Sequence, residues 1–298
     1  ESVEAAWEEL AAARGFAPGA SSREIRPASR QLRIGFDARV FSVADSVVRG
    51  IGHYAIHHVK ALLRHRPDCR ITLLHDDTEP IQAGIRSELE ALGAAWRPWS
   101  SCSSRDFDIF HTADPMFVFP GFASPFQRFS SSRISATFYD MTPLRMYEGR
   151  VANWPAYLAR LDELRDSGAT LLCISEFTRR DVMLATGIPE HRTRTVMAGF
   201  NSSGSSRTCT REEGDAVLGR MGIHKPFFVY VGTCDPHKNF EGALAAFQMV
   251  SHRNPAQLVV VGKLSHSIRS VRDQLAQTGV ANVVFTDFIA REQLELLY

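Results

Sequence analysis

Short apolar runs and helix-period stretches alternate along almost the whole chain, in two series separated by a Ser/Gly/Arg-rich break. Parallel strands need a crossover between them, and a helix is the usual one, so this alternation predicts an α/β protein with doubly wound parallel sheets. In the first series the pattern predicts strands at 32–36, 70–75, 107–111, 134–139 and 169–174. Helices are predicted at 52–64, 80–92, 153–166 and 176–185. Ser175 is placed to cap the last of these and Gly187 to end it. In the second series strands fall at 227–231, 257–261 and 282–286, with helices at 212–220, 240–252, 267–277 and 291–298. The expected organisation is an N-terminal extension (1–30, with a short helical pattern at 3–13), a Rossmann-like domain (31–200), a linker (201–211) and a second Rossmann-like domain (212–298). Three strands are the first half of the usual six, so the second domain reads as truncated.

The 298 residues suffice for two cores of ordinary size. A formal net charge of +1 excludes the broad positive footprint of a nucleic-acid binder. Cys69, Cys102, Cys173, Cys209 and Cys234 are odd in number and contain no C-x-x-C pair, which argues against a disulfide framework or a zinc centre and fits a reducing cytoplasm. No apolar run is long enough to span a bilayer. The chain begins at Glu1 rather than Met, as expected of a piece of a larger polypeptide.

The run from Phe227 to Val231 ends in Gly232-Thr233, and the loop then carries Lys238 and Asn239 to the start of a helical pattern at Phe240. That layout puts a cation at a strand's carboxyl edge beside a helix N-terminus, where N–H groups and the dipole favour phosphate. A loop lysine in solvent is the other reading. Gly50 and Gly52 stand between the first strand and its helix, either as a side-chain-free approach to a diphosphate or as a tight turn. His111 and Asp140 each end a strand, the edge at which open α/β sheets bind ligands. Asp140 either orients a substrate hydroxyl or caps the turn leading to Pro143. Asp106-Phe107-Asp108 spells D-x-D, but it leads straight into a strand, so no metal site is expected there. His53 and His57 lack both a glutamate between them and a third ligand. Asn201-Ser202-Ser203 is a glycosylation sequon by letter alone.

Seven blocks, in order, resemble GT-B glycosyltransferases of family 4, the retaining nucleotide-sugar transferases. They are residues 33–39, Gly50-Ile51-Gly52-His53-Tyr54, 107–111, Tyr139-Asp140-Met141-Thr142-Pro143, 173–181, 231–239 and Val284-Phe285-Thr286-Asp287-Phe288. The resemblance implies transfer of a hexose, with a lean to mannosyl or rhamnosyl transfer, from a GDP- or UDP-linked donor to a glycan or lipid-linked acceptor in bacterial surface polysaccharide synthesis. It implies no metal or other cofactor, no nucleic-acid partner, and a cytoplasmic location compatible with peripheral contact at the inner membrane.

By the same resemblance His111 lies near the transferred sugar, and Lys238 neutralises the leaving diphosphate. Gly50, Gly52, Gly232, Thr233 and Asn239 line its phosphates, while Asp287 and Phe288 neighbour the nucleobase. Two departures remove permanent cations, since His53 and His237 stand where the family usually has Arg. Family members also continue past Tyr298 into a helix with two glutamates, so the 298 residues alone are expected to be inactive. The alternative is a non-catalytic glycosyltransferase-like module of a larger polysaccharide-assembly protein.

Overall fold

The computed structural model describes residues 31–47, 50–116, 123–130, 132–146, 153–199, 210–233, 235–251, 253, 255–262, 275 and 282–298. The expected elements at 3–13 and 267–277 and the sequon at Asn201 lie outside them. The chain divides into two compact units, 1–199 and 200–298.

In the first unit seven parallel strands form one sheet in the order β3-β2-β1-β4-β5-β6-β7. They are β1 (Leu32–Asp37), β2 (Cys69–His75), β3 (Ala95–Pro98), β4 (Ile109–Thr112), β5 (Arg133–Phe138), β6 (Thr170–Cys173) and β7 (Thr193–Thr195). The central strands read as nearly continuous buried runs because crossover helices cover both faces. Those helices are α1 (Gly50–His65), α2 (Ala83–Ala91), α3 (Thr142–Met146), α4 (Trp154–Asp166) and α5 (Glu176–Thr186).

Helix α1 turns Ala55, Ile56, Val59 and Leu62 inward at helical spacing. They pack on Ile34, Phe36, Ile71 and Leu73. The sequence missed β3 and β7, two short outer strands whose residues Ala95-Trp96-Arg97-Pro98 and Thr193-Arg194-Thr195 carry no apolar run. The ends of α5 follow its sequence: Ser175 Oγ accepts the Thr178 N–H at 3.1 Å, and Gly187 at φ 71° closes the last turn onto Met183.

The order 3-2-1-4 reverses between β1 and β4, which makes the carboxyl ends of those strands the topological switch point.

The second unit has a three-stranded parallel sheet, β10-β9-β8, built from β8 (Phe227–Val231), β9 (Gln257–Val261) and β10 (Val283–Asp287). Helices α6 (Arg211–Arg220), α7 (Phe240–Ser251) and α8 (Arg291–Glu295) accompany it. Thr210 and Glu213 form a reciprocal capping box at the start of α6, one residue earlier than the sequence pattern suggests. Phe240, Leu244 and Phe247 of α7 pack on Leu258 and Val260 of β9.

Candidate functional site

At the switch point of the first sheet a cavity of about 230 Å³ is lined by Ile51 of α1, Asp114-Pro115-Met116 after β4, Phe138 at the end of β5 with Tyr139-Asp140 after it, Pro143 of α3 and Tyr157 of α4. Every wall comes from a strand's carboxyl end or from the helix that follows it. The carboxylate of Asp114 accepts only the Met116 N–H at 3.2 Å among the described residues. Burial, helped by the neighbouring charges of Asp37 and Asp140 and opposed by Arg160, pushes its pKa up to about 6.

Two tyrosines share this wall, and neither hydroxyl has a hydrogen-bond partner among the described residues. Burial raises both phenols, Tyr157 to about 12, and the Asp114 charge adds to each shift. An unsatisfied buried hydroxyl costs roughly 1–3 kcal/mol. Two of them beside an under-satisfied carboxylate make this wall the candidate site.

Of the two readings the sequence left open for Asp140, the turn cap is seen. Its Oδ1 accepts the Thr142 N–H at 2.8 Å and so begins α3, while the residue also lines the cavity. Around the cavity the cations are engaged. Arg39 holds the buried Asp37 through Nε and Nη2, both at 2.8 Å, and lies 3.3 Å over the Trp99 ring. Arg160 reaches the Pro115 carbonyl and Glu163.

The structure places His111 inside its strand. It is the third residue of a four-residue strand, completely buried, and does not line the cavity. Its Nδ1 lies 2.9 Å from Ser135 Oγ and its Nε2 3.1 Å from Thr137 Oγ1. Burial and the adjoining His58 ring hold its pKa well below the ordinary value, so it sits beneath the site as a neutral support.

The glycines also differ from expectation. Gly50 lies in α1 rather than preceding it, and a Cβ there would meet nothing within 4 Å. Gly52 packs directly on the short helix Ala44–Val47, where a Cβ would come within 2.4 Å of the Ser46 carbonyl oxygen. Its lack of a side chain is therefore a packing requirement. The D-x-D aspartates lie at the opposite, amino end of β4. Asp108 is clasped by Arg33, and Asp106 accepts from Ser103 and Arg97.

In the second unit, Gly232, Thr233, Lys238, Asn239, Asp287 and Phe288 all follow or end strands at one sheet edge. Lys238 is exposed and closes a short 3-10 turn; Asn239, at φ 51°, leads into α7. The α7 ladder starts with the Ala243 N–H to the Asn239 carbonyl, so the N–H groups of Phe240, Glu241 and Gly242 precede it. The N–H of Gly232 donates to the Val261 carbonyl at 2.9 Å. Gly262, at φ 139°, fits only as glycine, because a Cβ would lie 2.3 Å from the Gly232 carbonyl oxygen. Thr233 donates to Asp235 at 2.5 Å, so that hydroxyl too is occupied.

Asp114, Tyr157 and Gly262 were missed from sequence. Ala113-Asp114-Pro115 follows an apolar strand and was itself a readable strand-end acid, whereas Tyr157 reads as an ordinary inward helix residue. A larger open groove of about 680 Å³ lies along β7 and the start of α5. In it Arg179 is paired with Glu176 and Glu190, and Glu176 accepts from the Thr195 hydroxyl.

No protein-family model matches the chain, and comparison with curated proteins gives no match. Among solved structures, Anabaena HepE in complex with UDP and glucose is similar at a TM-score of 0.60 and 11% identity, over 89% of this chain and 71% of that one. HepE in complex with UDP-glucose is similar at 0.58, with the same identity and coverage. The lipopolysaccharide outer core galactosyltransferase WaaB, in its apo form, is similar at 0.51, again with 11% identity over 89% and 71%. At such identity the likeness is one of fold, the GT-B class of two Rossmann-like units.

Proposed function

We propose that this chain is a glycosyltransferase, or the larger part of one, that transfers a sugar from a nucleoside-diphosphate donor to a glycan or lipid-linked acceptor. The observation that carries the proposal is in the second unit, where β8 delivers Lys238 and Asn239 to the N-terminus of the twelve-residue helix α7. An exposed ammonium, the N–H groups ahead of the helix ladder and the dipole together suit a diphosphate whose charge grows as the sugar leaves. HepE, solved with UDP and glucose, lends UDP as the first donor nucleotide to test, with GDP as the second. Retention of configuration, a hexose such as mannose or rhamnose, and a place in bacterial surface polysaccharide synthesis are the finer parts of the same proposal. They rest on the motif resemblance. No helix among the described residues is long and apolar enough to cross a membrane.

The leaving-group charge is assigned to Lys238 and helix α7 rather than to a divalent ion, so transfer should survive EDTA. A strict manganese or magnesium requirement would defeat that assignment. Substituting Lys238→Ala should weaken UDP or GDP binding by about 10- to 100-fold, the worth of a charge-assisted hydrogen bond. Transfer should fall by about 10²–10³ in kcat with the melting temperature unchanged. Unaltered nucleotide affinity in NMR titration would remove Lys238 from the site and favour the non-catalytic module.

A further inference from the structure

Phe228 and Tyr230 stand two residues apart on β8 and so face the same side of the second sheet, the side that α7 covers. Phe247 of α7 meets Phe228 edge-on with ring centroids 6.2 Å apart, and Phe240 meets Tyr230 in the same way at 5.1 Å. Packing of this kind needs only the rings, and a phenylalanine would supply it at either place. What a phenylalanine lacks is the Tyr230 hydroxyl. That group reaches past the end of the strand, donates to the Thr233 carbonyl at 2.8 Å and lies 3.3 Å from the Lys238 carbonyl. One O–H is thus shared between the two limbs of the loop that runs from β8 to α7.

Within the loop the bonds are local. The Thr233 hydroxyl donates to Asp235, the Lys238 N–H to the Asp235 carbonyl at 2.8 Å, and the Asn239 N–H to the Pro236 carbonyl at 3.1 Å. They shape the turn without fixing it to the strand; the Tyr230 hydroxyl fixes it. Lys238 therefore has its N–H and its carbonyl both held, and its side chain is left to move. On the far limb Asn239 lays its side chain over the first turn of α7, where a Cβ on Gly242 would come within 2.6 Å of the amide. A lysine side chain is long and rich in rotamers, so its ammonium is aimed at a fixed charge only when its backbone is already ordered.

We propose that Tyr230 is a positioning residue for Lys238, its hydroxyl ordering the loop in advance so that the ammonium meets a nucleoside diphosphate from a fixed backbone. The role rests on the reading of Lys238 as the diphosphate cation and adds a residue that touches no phosphate itself. Tyr230 acts through the loop. No pattern of the sequence marks it, because tyrosine and phenylalanine suit an apolar strand equally well.

A double-mutant cycle on the whole chain separates this role from simple packing. Tyr230→Phe keeps the ring contact with Phe240 and removes only the hydroxyl. Affinity for UDP and GDP, read by calorimetry, should fall about three- to tenfold in Tyr230→Phe, with the melting temperature close to native. In a Lys238→Ala background the same change should alter affinity by less than about twofold. Without nucleotide, amide hydrogen exchange at Lys238 and Asn239 should quicken about three- to tenfold in Tyr230→Phe. Affinity that falls for Lys238→Ala but not for Tyr230→Phe overturns the proposal. An equal fall in both backgrounds does so too, since Tyr230 would then not act through Lys238. Should Lys238→Ala leave affinity intact, or the native chain bind neither nucleotide, the diphosphate reading fails. Exchange then decides alone, unchanged rates overturning the tie between Tyr230 and Lys238 and quickened rates upholding it.

Discussion

Two aspartates stand at opposite ends of β4, and the fold treats them in opposite ways. Asp108, at the amino end, accepts the Arg33 backbone N–H at 3.0 Å and a two-pronged guanidinium contact at 3.2 and 3.1 Å. Asp114, beyond the carboxyl end, accepts one N–H and faces other carboxylates. The first is an acid whose charge is fully used to tie β1 to the start of β4. The second carries a charge that folding does not need. An ionisable group held at a cost to the fold, at the switch point where α/β sheets bind, is a candidate ligand group. The D-x-D letters drew attention to the wrong end of the strand.

The sharpest way to break this contrast is to remove Arg33. With the guanidinium gone, the Asp108 carboxylate, only 8% exposed as a side chain, loses its paired charge. Arg33→Ala should destabilise the first unit by about 3 kcal/mol, near the lower end for a broken buried pair because Arg33 itself is about a third exposed. Urea unfolding reads it. A loss below about 0.5 kcal/mol would make Asp108 no better satisfied than Asp114.

Between the two ends, the middle of β4 supplies a second test. Burial lowers the His58 pKa to about 4, and its ring centroid lies 4.8 Å from that of His111, whose pKa moves the same way. A base with a folded pKa below its unfolded 6.5 binds more protons when unfolded. Stability is therefore full above about pH 6.5 and lost as pH falls toward 4. For His58 the loss is about 3 kcal/mol. His58→Leu should flatten this acid limb without changing the behaviour of Asp114; an unaltered limb would show that the histidines are not buried neutral.

How much of this was legible depends on what sets each feature. The doubly wound sheets were readable because long apolar strands such as Arg70–His75 and amphipathic helices such as α1 announce themselves locally. The outer strands β3 and β7 were not, since pairing with a neighbour defines them and residues like Thr193-Arg194-Thr195 carry no periodic signal. For the site, the capping role of Asp140 was readable, and Lys238-Asn239 does lead into a helix. His111 was not placed by the sequence, because a histidine near a strand end looks the same whether its ring meets solvent or, as here, Ser135 and Thr137. Tyr157 was invisible because its importance lies in a hydroxyl without a partner, and no sequence pattern records a missing bond.

The smallest effect is also the one that separates the two aspartates by sign. The substitution Asp114→Asn keeps an oxygen for the Met116 N–H and removes the charge. The folded pKa of about 6 lies above the ordinary value of 3.8, so the folded state keeps a proton that the unfolded state has lost between those values. Stability due to that proton is full below about pH 4, declines up to about pH 6, and is absent at neutral pH. An amide does not titrate in this range, so Asp114→Asn should be more stable than the native protein at pH 7, by about 1–2 kcal/mol once solvent in the cavity is allowed for. The advantage should shrink toward pH 4 as the native carboxylate regains its proton. Paired urea curves at about pH 7 and about pH 4.5 measure both ends of that range. Were Asp114→Asn to destabilise at pH 7, Asp114 would be a structural acid like Asp108, and the two ends of β4 would no longer differ in kind.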